Sequence, residues 1–144
     1  MRCVFEPQEP IRRFIEYHIP RCRERGLPDG GAAIGVVNDD EELIGGIYYH
    51  DFDPDAGTIE ISSAATDRRW LTRSTLKVLF TYPFEGLGCQ MVAARHSAKD
   101  KALARMFRAY GFKQVTIPRL FGRDEDGILS TLTDDAWRSN GFHK

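Results

Sequence analysis

The sequence predicts an α/β domain built on a mixed, mostly antiparallel sheet. Segments with helical spacing of apolar residues alternate with segments of strand spacing, in the order helix, three strands, helix, strand, helix, two strands. The strand–helix–strand connections require a parallel pair of strands within this sheet. With 144 residues, of which 42% are hydrophobic and 28% are charged, the chain has the size and composition of a globular domain. We therefore expect a single domain over residues 1–144.

The first half of the chain predicts one helix followed by three antiparallel strands. Ile11 and Ile15 belong to an apolar stripe on a helix that begins near Pro10, and Pro20 should kink or restart that helix. Two apolar runs then flank a polar turn, as in a hairpin, and a third segment alternates between apolar and polar residues. The three predicted strands cover residues 32–37, 43–49 and 58–62.

The second half predicts two helices and three further strands. The second of these helices, over residues 100–110, has an acidic residue at its start and Gly111 in position to cap its end. The other predicted segments are a helix over residues 71–82, strands over 90–95, 112–120 and 128–132, and a tail after residue 134 that packs through Trp137 and then frays.

Charge and hydropathy exclude several classes of protein. Twenty basic and 21 acidic residues leave a formal net charge of -1, so no overall field holds nucleic acid or an anionic membrane. There is no apolar run of about 18 residues and no apolar stretch of the signal-peptide kind at the start. We expect a cytoplasmic protein that binds neither nucleic acid nor membrane.

The potential metal ligands lack the spacing of a known metal motif. The three cysteines are widely spaced and include no Cys-x-x-Cys pair, so inert thiols are expected. A run of alternating aspartates from Asp51 resembles a calcium loop, but Ala56 replaces its glycine and Ser62 stands where a bidentate Glu is needed. We expect no metal.

The segment over residues 67–74 is the most informative for function. It carries Arg68, Arg69 and Arg73 between a predicted strand and the helix that follows. A helix start offers unpaired N–H groups and the positive end of the helix dipole, so this segment is suited to a pyrophosphate. From spacing alone, a solvated basic helix start is the alternative.

Three motifs extend this observation over about half of the chain, from Gly57 to about Leu132. Residues 69–74 align with the pattern Gln/Arg-x-x-Gly-x-Gly/Ala, residues 82–89 form a helix end with Phe before Leu-Gly, and residues 98–112 form a helix that ends in Gly-Phe. In these motifs the chain resembles the GCN5-related N-acetyltransferase (GNAT) superfamily. It is nearest to the branch that acetylates ribosomal-protein N-termini, which shares Trp70, and to phage or prophage relatives.

The resemblance implies the acyl-CoA N-acyltransferase (GNAT) fold, in which a central parallel pair of strands splays apart and helices cover both faces of the sheet. It also implies acetyl-CoA as cosubstrate. Thr72 and Ser74 replace the two glycines of the coenzyme A loop, and Asp100 replaces an asparagine that touches the pantetheine arm; a favourable acid in a first helical turn is the alternative for Asp100. The implied cofactor-binding residues are Ala64, Ala65, Thr66, Arg69, Trp70, Leu71, Thr72, Arg73, Ser74, Asp100 and Arg105.

The resemblance also suggests catalytic roles. An N–H at a bulge near Ala64, Ala65 and Thr66 would stabilise the oxyanion. Glu60 is the candidate base for the amine, with a solvent-facing strand glutamate as the alternative. Phe107 occupies the usual position of a tyrosine acid, so Tyr110, one turn further on, is the candidate acid, with a core aromatic as the alternative.

Two functions from different classes follow. The first is direct acetyl transfer from acetyl-CoA to a primary amine, either a small amine or a peptide or protein N-terminus. The second is a non-catalytic, phage-related binding or assembly protein with a degenerate coenzyme A loop. A homodimer is common among relatives, and the sequence leaves the oligomeric state open.

Overall fold

The computed structural model of the chain describes residues 1–140, which build one seven-stranded sheet. The strand order is β1-β2-β3-β4-β5-β7-β6, and β4 and β5 are parallel whereas the other neighbours are antiparallel. The predicted mixed, mostly antiparallel sheet with a central parallel pair is therefore confirmed. The strands are β1 (Arg2–Val4), β2 (Ala32–Val37), β3 (Leu43–Asp53), β4 (Thr58–Ala65), β5 (Met91–Ser97), β6 (Lys113–Gly122) and β7 (Glu125–Thr133).

Helices cover both faces of this sheet. Side chains alternate between the two faces along β4, so that Ala64 packs beside α1 while Ile59 and Ile61 pack beneath α3 and α4. Among the described residues, no helix is long and apolar enough to cross a membrane. The helices are α1 (Gln8–His18), α2 (Cys22–Arg25), α3 (Arg73–Thr81), α4 (Lys101–Tyr110) and α5 (Asp134–Ser139).

Most element boundaries follow the predictions, and the differences have local causes. The helix predicted from residue 71 begins at Arg73, because Thr72 caps it and a 3₁₀ turn (Arg68–Trp70) precedes it. It then continues into a π-helical turn (Tyr82–Gly86) in place of a stop near Pro83, and the Leu87 N–H donates to the Tyr82 carbonyl at 3.0 Å.

The start of the chain forms a short strand that was not predicted, and the end of the chain packs through a buried tryptophan as predicted. The short β1 pairs with β2 and has too few residues for a recognisable alternation. Trp137 in α5 is buried and stacks on Phe84, with 5.0 Å between the ring centroids, as the predicted packing of the tail requires. The predicted fraying falls partly on residues 141–144, which lie outside the described residues.

The parallel pair defines the position of the site. β4 and β5 are paired only from Thr58↔Met91 to Glu60↔Ala93, whereas β5 continues along β7 as far as Ser97. Beyond Glu60, β4 therefore keeps β3 on one side and, among the residues that the structure describes, has no paired strand on the other. The predicted splay of the central pair is confirmed by this register.

Candidate active site

A cleft of about 330 Å³ opens where β4 and β5 separate. Its walls are Ile61, Ser62 and Ser63 from β4 and residues 94–97 from β5. Asp100 and Phe107 on the side of α4, and residues 18–21 at the end of α1, also line it. An extended ligand with hydrogen-bonding amides can occupy such a gap in the manner of an added strand.

The ladder between β3 and β4 determines which backbone groups face this cleft. The Thr66 N–H donates to the Ile44 carbonyl at 2.8 Å, so Thr66 is not available as a donor to a ligand. Because opposed residues alternate between hydrogen-bonded and non-hydrogen-bonded pairs, Ala64 also turns its backbone groups toward β3. Ser63 and Ala65 turn theirs to the open side. Of the three predicted backbone positions, Ala65 is the one whose backbone groups turn away from β3, and it lines a neighbouring pocket of about 300 Å³ together with Thr66, Asp67 and Arg68.

The bulge predicted near Ala64–Thr66 is not found. The register runs without a shift from His50↔Glu60 to Gly45↔Ala65, in a part of the chain that the structure describes completely. The irregularity lies instead between His50 and Asp53, at the other end of β3. The two strands separate because β5 diverges while β4 stays regular. The N–H groups of β4 that face away from β3 are therefore available without a bulge.

The arginine segment is organised by an internal ion pair. The guanidinium of Arg69 contacts both carboxylate oxygens of Asp67, at 2.8 and 3.1 Å, and the Arg69 N–H donates to the same side chain at 2.9 Å. These hydrogen bonds hold the pKa of Asp67 at about 2. Arg69 was predicted to bind phosphate; in the structure it already has an anionic partner, with which a phosphate must compete.

A capping box organises the start of α3. The Thr72 hydroxyl accepts from the Thr75 N–H at 3.1 Å, and the Thr72 N–H donates to the Thr75 hydroxyl at 2.8 Å. The Ser74 hydroxyl lies 3.2 Å from that of Thr72. The two residues that replace the glycines therefore belong to the helix cap, and the Thr72 N–H is already used. Arg73, at the first position of α3, is exposed.

Trp70 and Leu71 lie inside the molecule at the base of this segment. Trp70 is 5% exposed and packs on Gly45, where an added Cβ would come within 2.5 Å of the indole ring. With Leu71 it lines an apolar cavity of about 180 Å³ beneath the sheet, which also contacts Phe107 and Tyr110. Trp70 thus holds the arginine segment to the core.

Asp100 stands at the start of α4, and its predicted contact with the cofactor stays a prediction. Its side chain accepts from the Leu103 N–H at 3.1 Å and caps the helix, and it also lines the cleft. Gly111 ends the same helix at a φ of 117°, as its predicted capping role requires. Arg105 is exposed on α4, and its predicted cofactor role stays a prediction.

Tyr110 and Phe107 face the core side of α4. Tyr110 is 6% exposed, and its hydroxyl accepts from the indole N–H of Trp137 at 3.1 Å. Burial raises the pKa of Tyr110 to about 12. Phe107 lies between the apolar cavity and the cleft and stacks on His96, with 5.5 Å between centroids. Tyr110 is therefore a core aromatic in position, and its role as an acid stays a prediction.

A second cavity of about 530 Å³ adjoins the cleft on the face covered by α1 and α2. Glu60 lines this cavity, and its Oε1 accepts from Arg95 Nε at 2.7 Å. The Glu60 side chain is 21% exposed, so the alternative of a freely solvated glutamate is not what the structure shows. The carboxylate is reachable from the cavity but shares one oxygen with Arg95.

The sequence analysis missed a set of side chains on this face. His50 is 5% exposed, and its Nδ1 lies 2.5 Å from Asp51 Oδ2 while its Nε2 lies 2.9 Å from Ser62 Oγ. Asp51 has a φ of 54° at the irregular end of β3. No local motif marks this set, because Ser62 reaches His50 only through the β3–β4 register.

In the described part of the chain, the only His, Cys, Asp and Glu side chains close enough to share a cation are His50, Asp51 and Glu60, with ligand atoms within 4.8 Å of one another. Protein groups already satisfy them. Both nitrogens of His50 have partners, and Arg95 brings a positive charge onto Glu60. We therefore do not interpret this set as a metal site.

Comparisons with known proteins find similarity at the level of the fold. No family model matches the chain, and no curated protein matches it. A chimera of the spermidine N-acetyltransferase SpeG from Vibrio cholerae and hSSAT matches with a TM-score of 0.77 and 11% identity, over 96% of this chain and 99% of that chain. A structure named "Probable acetyltransferase" matches with a TM-score of 0.64 and 21% identity, over 83% and 69% of the two chains.

The fraction of each matched structure that this chain covers varies. The chain spans 62% of the length of another matched structure with an acetyltransferase assignment, at a TM-score of 0.68 and 15% identity. At these identities the comparisons establish the architecture and leave the chemistry to be argued from the site. The chain has the fold of the GNAT acetyltransferases.

Proposed function

We propose that the chain is an acetyl-CoA-dependent N-acetyltransferase that transfers the acetyl group directly to a primary amine. The observation that carries the proposal is the cleft between β4 and β5, which has an unpaired strand edge, an arginine-rich segment directly after β4 and a second cavity beside it. One of the matched structures is a spermidine N-acetyltransferase, which supports a small amine as the acceptor. A peptide or protein N-terminus is the other acceptor class in the proposal.

The open edge of β4 is suited to the pantetheine arm of acetyl-CoA. Its amides can pair with Ser63 and Ala65 as an added strand would, and this use of backbone explains why few side chains in the cleft need be distinctive. The same cleft-facing N–H groups are available to stabilise the oxyanion that forms when an amine attacks the thioester carbonyl. Asp100 and Phe107 border the arm on the α4 side.

The pyrophosphate is assigned to the segment that ends at α3. Arg68, Arg69 and Arg73 surround the helix start, where the dipole also favours an anion. To contact the phosphates, Arg69 exchanges its hydrogen bonds with Asp67 for bonds to phosphate oxygens. That exchange replaces one charge-assisted pair by another, so this side chain contributes less to affinity than an unpaired arginine would.

The amine is assigned to the cavity on the face of α1 and α2. Glu60 and Arg95 lie at its border with the cleft, and Oε2 of Glu60 can attract an ammonium ion or receive its proton. Tyr110 is retained as the candidate acid for the departing thiolate. The protein is further proposed to be cytoplasmic and homodimeric, and kinship with the ribosomal-protein branch or with phage enzymes belongs to the same proposal.

The test is isothermal titration with acetyl-CoA, followed by an acceptor screen that includes spermidine and short peptides with free N-termini. Micromolar binding is expected, and Arg69→Ala with Arg73→Ala should weaken it by roughly tenfold or more, since hydrogen bonds to charged groups contribute about 1.5–3 kcal/mol each. Arg13→Ala is the matched control, because Arg13 is exposed on α1 and pairs only locally with Glu9. Equal affinity in the double variant would remove the pyrophosphate assignment.

A second candidate is a non-catalytic binding or assembly protein that retains the fold. The specific observation in its favour is that Asp67 and the Thr72–Thr75 capping box already occupy groups that a coenzyme A loop would offer to phosphates. Binding of acetyl-CoA without turnover of any amine would favour this candidate. Absence of binding at millimolar acetyl-CoA would mean that the cleft no longer takes the cofactor.

A further inference from the structure

We propose that His50, oriented by Asp51 and linked to the cleft by Ser62, accepts the proton that the amine must lose before acetyl transfer. The inference rests on the proposed function and assigns one of its steps. Ser62 is the group that touches the amine, and His50 and Asp51 act through it. Glu60 then attracts the ammonium ion and is not the final acceptor of its proton.

The hydrogen bonds give the three side chains a defined direction. A carboxylate can only accept, so the proton of the neutral imidazole lies on Nδ1 and is donated to Asp51 over 2.5 Å. The lone pair of Nε2 therefore faces Ser62 Oγ at 2.9 Å and accepts the hydroxyl proton. Carboxylate, imidazole and hydroxyl are thus connected in the order that lets a hydroxyl deliver a proton to a ring nitrogen.

The backbone fixes this order. β3 and β4 place His50 opposite Glu60 and Tyr48 opposite Ser62, so the side chains of His50 and Ser62 lie on the same face of the sheet. Asp51 adopts a φ of 54°, a conformation uncommon for residues other than glycine. This conformation keeps its carboxylate beside the ring of the preceding residue.

The position of Ser62 connects the two cavities. It lines both the cleft, where the thioester is assigned, and the adjoining cavity, where the amine is assigned. His50 lines only the second of these, behind Ser62. An amine that reaches toward the cleft therefore meets the Ser62 hydroxyl, while the imidazole stays buried.

Charged groups of both signs surround His50. The carboxylate of Asp51 is the one in direct contact with the ring. The aromatic ring of Tyr48 stacks on His50, with 5.7 Å between centroids. The other titratable or charged groups that face it across the cavity are Glu60 from β4, Arg95 from β5, and Arg21, Cys22 and Arg25 from the α2 segment.

The step balances as follows. The ammonium ion gives a proton to Ser62 Oγ while the hydroxyl proton of Ser62 moves to His50 Nε2, leaving a neutral amine and an imidazolium. The nitrogen lone pair forms the N–C bond as the carbonyl electron pair moves onto oxygen; the carbonyl then re-forms as the C–S bond breaks, and the second N–H proton passes to the departing thiolate. His50 returns its proton to solvent, so one proton is released for each acetyl group transferred.

The experiment measures pH–rate profiles of acetyl transfer to an amine that the unaltered chain accepts, together with the affinity for acetyl-CoA. His50→Gln and Ser62→Ala remove the acceptor and the link. Asp51→Asn removes the orienting charge at a largely exposed side chain and tolerates the same backbone, so it retains the fold if His50→Gln does not. Asp53→Asn is the matched control, because Asp53 caps a turn two residues away through bonds to Asp55 and Ala56.

We expect His50→Gln to lower kcat by about 100-fold or more, and Asp51→Asn by about tenfold or more, with the affinity for acetyl-CoA unchanged. The rate in both variants should become proportional to hydroxide concentration at pH values where the unaltered chain shows a plateau. Asp53→Asn should follow the unaltered chain, and Glu60→Gln should raise KM for the amine and keep the plateau.

Each contrary outcome has its own meaning. A plateau that survives in His50→Gln and disappears in Glu60→Gln overturns the relay and restores Glu60 as the base, while the proposed function stands. Equal rates for Asp51→Asn and Asp53→Asn also overturn it. If the unaltered chain turns over no amine, the proposed function fails and the relay fails with it.

Discussion

The acceptor side and the cofactor side of the cleft differ in how their polar groups are used. On the acceptor side, His50 bonds to Ser62 across neighbouring strands and Glu60 pairs with Arg95, and all of them line an open cavity. On the cofactor side, Asp67 already bonds to the guanidinium of Arg69, and Thr75 already accepts from the Thr72 N–H at the helix start. The first side is arranged for a ligand, whereas the second must release internal partners before it binds one.

This difference shows what substitution of the two glycines does. Thr72 and Ser74 add side chains that form a helix cap, and the cap stabilises α3 in the absence of a ligand. A loop with glycines leaves its N–H groups open to phosphate oxygens. The same segment can therefore gain local stability while its affinity for a pyrophosphate falls.

The largest expected effect tests whether Trp70 serves the core or the ligand. Trp70→Ala should lower the free energy of unfolding by about 3–5 kcal/mol, because it removes a buried indole from its contact with Gly45. Urea unfolding measures the loss, and Phe5→Ala at an exposed position should change it little. Unchanged stability combined with a loss of acetyl-CoA affinity would place Trp70 in the ligand site instead.

A smaller effect is expected when the internal partner of Arg69 is removed. Asp67→Asn should raise the affinity for acetyl-CoA by a small factor, because the guanidinium of an exposed pair is released while an amide oxygen can still accept from the Arg69 N–H. Calorimetry measures the gain. In an Arg69→Ala background the gain should vanish; its persistence there would show that Asp67 acts by another route.

This gain should not depend on pH in the usual working range. The pKa of Asp67 is lowered from 3.8 to about 2, so its contribution to the folded state is present above pH 3.8 and is lost as pH falls toward 2. Between pH 5 and 8 the carboxylate stays charged and the pair intact. Acidification within that range should therefore not reproduce the effect of Asp67→Asn.

A small effect is also expected at Tyr110. Tyr110→Phe should lower the free energy of unfolding by about 1 kcal/mol, because the indole N–H of Trp137 loses its acceptor in the core. The value of kcat for acetyl transfer should fall by less than tenfold, since coenzyme A thiolate is a tolerable leaving group. A large loss of kcat at unchanged stability would establish Tyr110 as the acid.

Features that depend on residues close together in the sequence could be predicted, whereas features that depend on distant residues could not. Asp100 and Gly111 bound α4 correctly because caps are set by residues within one turn. His50 and Ser62 could not be connected in the same way, because their contact requires the register of two strands and an uncommon φ at Asp51. The bulge was predicted from resemblance, and the regular register of β4 from Glu60 to Ala65 shows that resemblance did not fix that local detail.

The arginine segment illustrates a different limit. Asp67 stands two residues before Arg69, so the pair was visible in the sequence, yet either a phosphate or the aspartate could have been the partner of the guanidinium. The structure shows the aspartate. Competition between an internal and an external anion is decided by free energies, which residue spacing does not supply.

The outer strand β6 bears on how copies of this chain can assemble. Within residues 1–140 it pairs with β7 alone, and Val115 on it is 62% exposed, so it presents an edge to which another strand could add. Pro118 has no N–H, and Arg119 reverses the backbone at a φ of 65°, so the row of donors is interrupted midway. Edge-to-edge association is thereby confined to residues 113–117, which protects the protein against open-ended sheet polymerisation.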